Sequence, residues 1–573
     1  MIVLRLLRNL ALAPLFPLWW AVRLWSRSKA RWIRVKLSPR LVEFVRPEPW
    51  YSRFIPRPNV VRPTSLGALR KLVEQAQKSP DVRGVLFEMP SLMAGWVACS
   101  ALRELIVELR ASGKEVVVYL PSGGGNRELF VASAASRILA SPSATLAPLG
   151  LAASRRQLKG LLERFGLEVE VYRRAEYKTA AEGVSSFAMS EPQREQTTAL
   201  LATYERALID ALKERPNLDE DAVRALFDRG LVSGRAAIEC GLLDELAYDD
   251  EVAEKVTGDP DEKLAPASDW LAHRLARFFV RVLRRPYVAV IPVHGAISDA
   301  GQGPGAAKDA VVSAIRRAAA DKRALGVVLH VDSPGGSALA SDIIHREVMR
   351  LKDKKPVVAC FGEVAASGGY YVSAGANSIV ADPLTITGSI GVISARLVAS
   401  GLLDRLGVRT EVIRLAPHAD LVSNPRAATE EERAMLDREV GNFYQSFVEV
   451  VANGRGRPSE EVEPLARGRV WSGRDAEGKG LVDRMGGLSI ALDEVKARLG
   501  RRELDLPLLP IWPKALDLPP QAREQRRALL EVLGMSALGT SALGAVHEDL
   551  ETLLELATSK ERALAWADVP TID

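Results

Sequence analysis

Short runs of β-branched and apolar residues alternate along this chain with longer stretches in which apolar positions recur every three or four residues. Residues 85–87 and 116–119 form two such runs in the first half, and 327–331 and 357–360 form two in the second. Beside them lie "SALRELIVELRAS" and "SDIIHREVMRLKD", whose spacing gathers the apolar side chains on one helical face. Strand runs alternating with helical stretches predict βα units around a largely parallel sheet, an α/β fold.

The pattern is written twice. "RGVLFEMP" matches "LGVVLHVDSP" with Gly84 falling on Gly326, and "GKEVVVYL" matches "KKPVVACF". "ASAASRILASPSATLAPLG" matches "SAGANSIVADPLTITGSIG" with Pro142 on Pro383, an offset of 241. "RFGLEVEVYRRA" answers "RLGVRTEVIRLA" with Gly166 on Gly407, again 241, and "GLVSGRAAIECGLLDEL" answers "GRVWSGRDAEGKGLVDRM". Five blocks in the same order at nearly constant spacing mark a tandem duplication. The expected organisation is an N-terminal segment 1–31, a first repeat 32–258, a linker 259–285, a second repeat 286–501, and a Pro-rich connector with a helical tail at 502–573. The linker holds "WLAHRLARFFVRVLRRP", which reads as a basic amphipathic helix that lies on a membrane or packs between the domains.

Composition narrows the function classes. A chain of 573 residues is too long for one core. Its 77 basic and 72 acidic side chains leave a net charge of +5, too small an excess to define a nucleic-acid surface. Cys99, Cys240 and Cys360 are too far apart for a zinc site or a disulfide framework and read as core thiols. No metal or cofactor is expected.

The uncharged run "LALAPLFPLWWAV" at 10–22 is short for a bilayer span and carries Pro14 and Pro17. No small-residue cleavage site follows it, so it reads as a retained anchor or an interfacial segment, the alternative being a helix packed on the body. Arg5 and Arg8 precede it, and Arg23, Arg27, Lys29, Arg31, Arg34 and Lys36 follow. By the positive-inside rule that excess keeps the bulk of the chain cytoplasmic.

The candidate chemistry is divided between the copies. Ser367 stands in "AASGGYY" between a predicted strand and a predicted helix, where the next amide, that of Gly368, can face a developing oxyanion. A second donor would come from Gly335 or Gly336 in "DSPGG". A serine before two glycines is also a common helix cap. In the first copy the matching position is Asn126, and "SLMAG" replaces the "SPGG" turn. The first copy has no histidine but carries Lys178 in "RRAEYKTAAEG", where the second copy has Ala419. Alone, Lys178 would read as a solvated surface charge. Complementary loss instead points to one active site built from both copies, with a desolvated lysine as the base for a serine.

These residues carry a resemblance. "DSPGG", "GEVAASGGYYVSAGA", "TGSIGV", "YKTAAE" and "GRVWSGRDAEGKGLVD" resemble the signatures of signal peptide peptidase A, or protease IV, in its long duplicated bacterial form, over about 32–501. The resemblance implies a tandem Clp-protease/crotonase-like fold and a Ser–Lys dyad of Ser367 and Lys178. It implies that Ser389, in "TGSIG", hydrogen-bonds and orients the lysine. It further implies a homotetramer attached to the bacterial inner membrane with its catalytic domain on the periplasmic side, acting on short apolar peptides such as remnant signal peptides. Glu363, Thr179 and Gly183 depart from the residues usual in that family, without removing a catalytic atom. Three rival readings stand beside it: a histidine-based protease using His330 or His345, a crotonase-like acyl-CoA enzyme, and a catalytically inactive membrane scaffold.

Overall fold

The structure, a computed structural model, describes residues 2–25, 31–46, 62–276, 278–279, 285–299, 305–422, 426–513 and 564–566. The helical stretch expected at 521–558 lies outside them.

The chain forms two compact units, and their boundary differs from the repeat boundary. One unit holds residues 1–152 and 202–285, the other 153–201 and 286–572. Residues 153–201 of the first copy, Lys178 among them, therefore belong with the second copy. The physical link is backbone pairing: Glu168–Arg173 runs antiparallel to Ile393–Val398 over six residue pairs, from Arg173 opposite Ile393 to Glu168 opposite Val398.

Within the first unit a parallel sheet has the order Glu245–Leu246, Arg137–Ala140, Glu115–Leu120, Gly84–Glu88, Trp32–Lys36, Ala265–Pro266. The second unit repeats it: Arg484–Met485, Ser378–Ala381, Val357–Ala366, Ala324–Ser333, Tyr287–His294, Leu508–Pro510. The duplication read in the sequence is thus a duplication of strand order. In both sheets the central strands are buried along nearly their whole length, which is why they read as continuous apolar runs.

Helix Trp96–Ala111 buries Trp96, Cys99, Leu102, Leu105, Ile106 and Leu109, the face that the periodicity predicted. Its counterpart Ala338–Lys352 is capped by Ser337, whose Oγ accepts the Ala340 N–H at 3.1 Å, and ends with Arg350 and Lys352 against its carbonyl end. Cys99 and Cys360 are buried and Cys240 half-buried, and none of the three is in a disulfide.

A second sheet in the second unit has the order Gly305–Ala307, Ala296–Ser298, Gly335–Ser337, Leu564–Trp566, Ile393–Val398, Glu168–Arg173. It brings "DSPGG", the C-terminal segment and the first copy's contribution side by side.

At the N-terminus, helices Ile2–Leu12 and Phe16–Trp25 flank a 3-10 turn at Ala13–Leu15, which accommodates Pro14. Phe16 meets Phe278 edge-on and Trp19 meets it at a tilt, while Phe16 stacks with Phe279. Among the described residues no helix is long and apolar enough to cross a membrane. The basic amphipathic helix expected from Trp270 onward is shorter than its sequence pattern: it runs Ala267–Leu275, and Trp270 is buried.

Candidate active site

Strand Val357–Ala366 ends one residue before Ser367, and helix Gly368–Ser373 begins one residue after it. Ser367 makes the turn with φ 53° and ψ −117°, a conformation that costs a residue with a side chain about 1–3 kcal/mol. Two hydrogen bonds hold it there: its N–H donates to Gly388 O at 2.8 Å, and its O accepts the Tyr371 N–H at 2.9 Å. The helix is only six residues long, so its contribution is the aim of its first amides more than an accumulated dipole.

Lys178 follows strand Glu168–Arg173 and is 1% exposed. Its Nζ lies 2.8 Å from Ser367 Oγ, 2.9 Å from Ser389 O and 3.0 Å from Ser389 Oγ. Burial alone pushes its pKa well below the ordinary 10.5. A neutral amine has two N–H donors and one lone pair. In that neutral form the two Ser389 oxygens can accept both hydrogens, which leaves the lone pair for the Ser367 hydroxyl.

The "TGSIG" stretch therefore holds both partners through consecutive residues. Gly388 O takes the Ser367 N–H, Ser389 takes the amine, and Ile390 O accepts the Gly468 N–H at 2.8 Å. Gly468, which sequence reasoning missed as a site residue, has φ 75°, and a Cβ there would lie 2.6 Å from both Lys178 N and Lys178 Cβ. The signal was present: Gly468 opens "GRVWSGRDAEGKGLVDRM", and Gly230 stands at the start of the first-copy match with the same φ of 75°. Gln196 was also missed. Its Nε2 donates to Thr179 Oγ1 at 2.8 Å and its Oε1 accepts the Val470 N–H at 3.2 Å, tying the residue after Lys178 to the strand beyond Gly468.

Gly335 and Gly336 form the start of strand Gly335–Ser337. A Cβ on Gly368 would sit 3.2 Å from Gly335 Cα and 3.3 Å from Gly336 N, so the two backbones are in contact. Gly336, at φ 148°, has no room for a side chain, since a Cβ would fall 2.1 Å from Ile297 O. Of the two candidate donors, the Gly335 N–H already has Ser333 Oγ at 3.2 Å. Asp332 braces the turn, its Oδ1 accepting the Val364 N–H at 3.1 Å, and burial raises its pKa. Against this strand lies Leu564–Trp566, antiparallel, with Gly335 opposite Trp566 and Gly336 opposite Ala565, while Leu564 also pairs with Ile393 on the other side.

The matching positions of the other copy carry no catalytic group. Asn126, at the place of Ser367 in the first copy, donates from Nδ2 to Gly150 O at 2.6 Å. Ala419, at the place of Lys178, is exposed. Neither rival histidine bonds Ser367: His330 Nδ1 is 2.7 Å from His294 Nε2, and His345 packs edge-on against Tyr371. Glu363 is half-buried, and Gly183 lies where a Cβ would meet Arg155 Nη2 at 3.2 Å. Among the described residues no cluster of ligating side chains could hold a metal ion.

The profile of peptidase family S49 matches the chain twice, at residues 108–261 and 349–501. This chain belongs to peptidase family S49. Membership makes it a serine peptidase, and the double match agrees with the duplicated α/β architecture. Among S49-like relatives, the chain is 32% identical over 516 residues to "Serine protease SPPA, chloroplastic" of Arabidopsis thaliana, covering 88% of this chain and 74% of that one. It is 29% identical over 460 residues to "Protease 4" of Salmonella typhi, covering 77% and 73%. A ClpP1 mutant structure from Listeria monocytogenes aligns with 35% of this S49 chain and 91% of its own at 15% identity and a TM-score of 0.24. The fold described above rests on the strands themselves.

Proposed function

We propose that Ser367 is the nucleophile and Lys178 the general base of an endopeptidase that degrades short apolar peptides, remnant signal peptides being the natural candidates. The observation that carries this reading is a buried Lys178 Nζ held 2.8 Å from Ser367 Oγ, with both Ser389 oxygens at its other side. The neutral amine takes the Ser367 proton as Oγ attacks the peptide carbonyl. Gly368 N–H and one amide of Gly335 or Gly336 receive the oxyanion, the Ser333 contact at Gly335 favouring Gly336. The Lys178 ammonium then gives its proton to the leaving amine, and water attacking with the same base releases the acid from the acyl-enzyme. An extended substrate suits the place beside Gly335–Ser337, where Leu564–Trp566 pairs as a strand.

The crotonase-like and scaffold readings need neither an activated serine nor a buried lysine. Hydrolysis of a fluorogenic apolar peptide by the full chain, by Ser367→Ala and by Lys178→Ala decides among them. Either substitution should abolish turnover, and activity retained by both would overturn the dyad.

The setting we propose is the bacterial inner membrane, with the enzyme assembled as a homotetramer and its catalytic units on the periplasmic side, as the family resemblance implies and against the charge bias of residues 23–36. Support for attachment comes from the apolar run at 10–22 and its basic flanks. Deleting residues 1–30 should release the protein from membranes while peptide hydrolysis persists. Sedimentation of the truncated chain with membranes would place the anchor elsewhere.

A further inference from the structure

The internal repeat leaves one strand without its partner. In the first copy, Glu168–Arg173 is paired along its whole length with Ile393–Val398 of the second copy. Shifting by the repeat offset of 241 carries 168–173 onto 409–414 and 393–398 onto 152–157. Residues 409–414 form no strand and are exposed throughout. Ile413, at the place of the buried Tyr172, is 96% exposed, and the nearby Leu415 is fully exposed. Residues 154–157 form no strand, Ala153 before them makes a single β-bridge, and the side chains of 154–157 alternate between exposed and half-buried as on a sheet edge.

The charges follow the same rule. Opposite one another in the existing pair stand Glu170 and Arg396, both largely buried, with Arg396 Nη1 2.7 Å from Glu170 Oε2. Arg396 uses its Nη2 to donate to Leu421 O at 2.9 Å. The repeat converts Glu170 to Glu411, Arg396 to Arg155, and Leu421 to Ala180. Arg155 Nη2 donates to Ala180 O at 2.8 Å, so half of the arrangement is already in place. Glu411 is exposed and has no ion-pair partner among the described residues.

We infer that residues 409–414 of one copy pair as an antiparallel strand with 152–157 of a second copy, Glu411 meeting Arg155 and Ile413 lying opposite Ala153. The inference rests on the assembly proposed above and names the edge that makes it. Its register repeats the pairing inside each chain, so the contact is head-to-tail and propagates from copy to copy until a ring closes. A Glu411 carboxylate on Arg155 would also brace the arginine that holds the Thr179 and Ala180 carbonyls, next to Lys178. Assembly and the posture of the base are thereby linked.

Light scattering of the full chain in mild detergent, over a range of concentrations, tests this. Glu411→Arg and Ile413→Asp alter exposed residues and should weaken association by roughly a hundredfold or more. Arg155→Glu should do the same, and combining it with Glu411→Arg should restore the assembled mass. A wild-type chain that assembles while Glu411→Arg and Ile413→Asp assemble equally well overturns the edge assignment alone. A wild-type chain that is monomeric at all concentrations overturns the homotetramer and this inference together.

Discussion

Lys178 Nζ contacts both oxygens of Ser389, the main-chain O at 2.9 Å and the Oγ at 3.0 Å. One residue can thus take both hydrogens of the amine in its neutral form, which would fix where the lone pair points. Ser389→Ala removes one of the two contacts and keeps the carbonyl, so it should lower kcat by about 10- to 100-fold, with little change in KM. Steady-state kinetics on an apolar peptide checks this. An effect on KM alone would show that Ser389 serves binding and not orientation.

The protonation of Lys178 sets the pH dependence. Because burial depresses its pKa, kcat/KM should rise with pH through an apparent pKa well below 10.5 as the amine becomes neutral. Lys178→Arg keeps the charge but cannot be deprotonated in this range, so its activity should fall by about 10²- to 10⁴-fold or more, as for Lys178→Ala. A pH profile flat through the neutral range, or an active arginine variant, would exclude lysine as the base.

The same burial has a cost in stability. Between its depressed native pKa and its ordinary value, Lys178 binds fewer protons folded than unfolded, so stability rises with pH across that window. Lys178→Met should therefore raise the thermal midpoint by about a few degrees, most at acidic pH and least as pH approaches 10.5. Thermal scans at several pH values measure it. A methionine variant less stable at every pH would show that the amine's hydrogen bonds outweigh its desolvation.

Gly468 should be as sensitive as a catalytic position although it carries no functional group. A methyl group 2.6 Å from Lys178 N and Cβ forces the lysine away from Ser367, and displacements of about 1 Å cost on the order of 10²-fold in rate. Gly468→Ala should lose at least that much activity while its circular dichroism stays that of the wild type.

The strand Leu564–Trp566 occupies one edge of Gly335–Ser337. A chain ending at Pro513 would clear that edge for substrate, so KM for an extended apolar peptide should fall several-fold with kcat unchanged. An unchanged KM would mean that substrate does not use this edge.

Much of the architecture was legible because strands buried on both faces, such as Val357–Ala366, write themselves as unbroken apolar runs, and a duplicated fold writes them twice. Ser367 and Lys178 could be singled out by comparing the copies, since each is present in one copy only. Tertiary structure decided what that comparison could not reach. It assigned residues 153–201 to the unit of the second copy, because the partner of Glu168–Arg173 is a strand more than 200 residues away that no local pattern specifies. It gave Gly468 its role, because a glycine's reason lies in what approaches it. It also separated 168–173 from 409–414, near-identical in pattern yet one a paired strand and the other exposed: local sequence sets the tendency to extend, and only a partner edge turns that tendency into a strand.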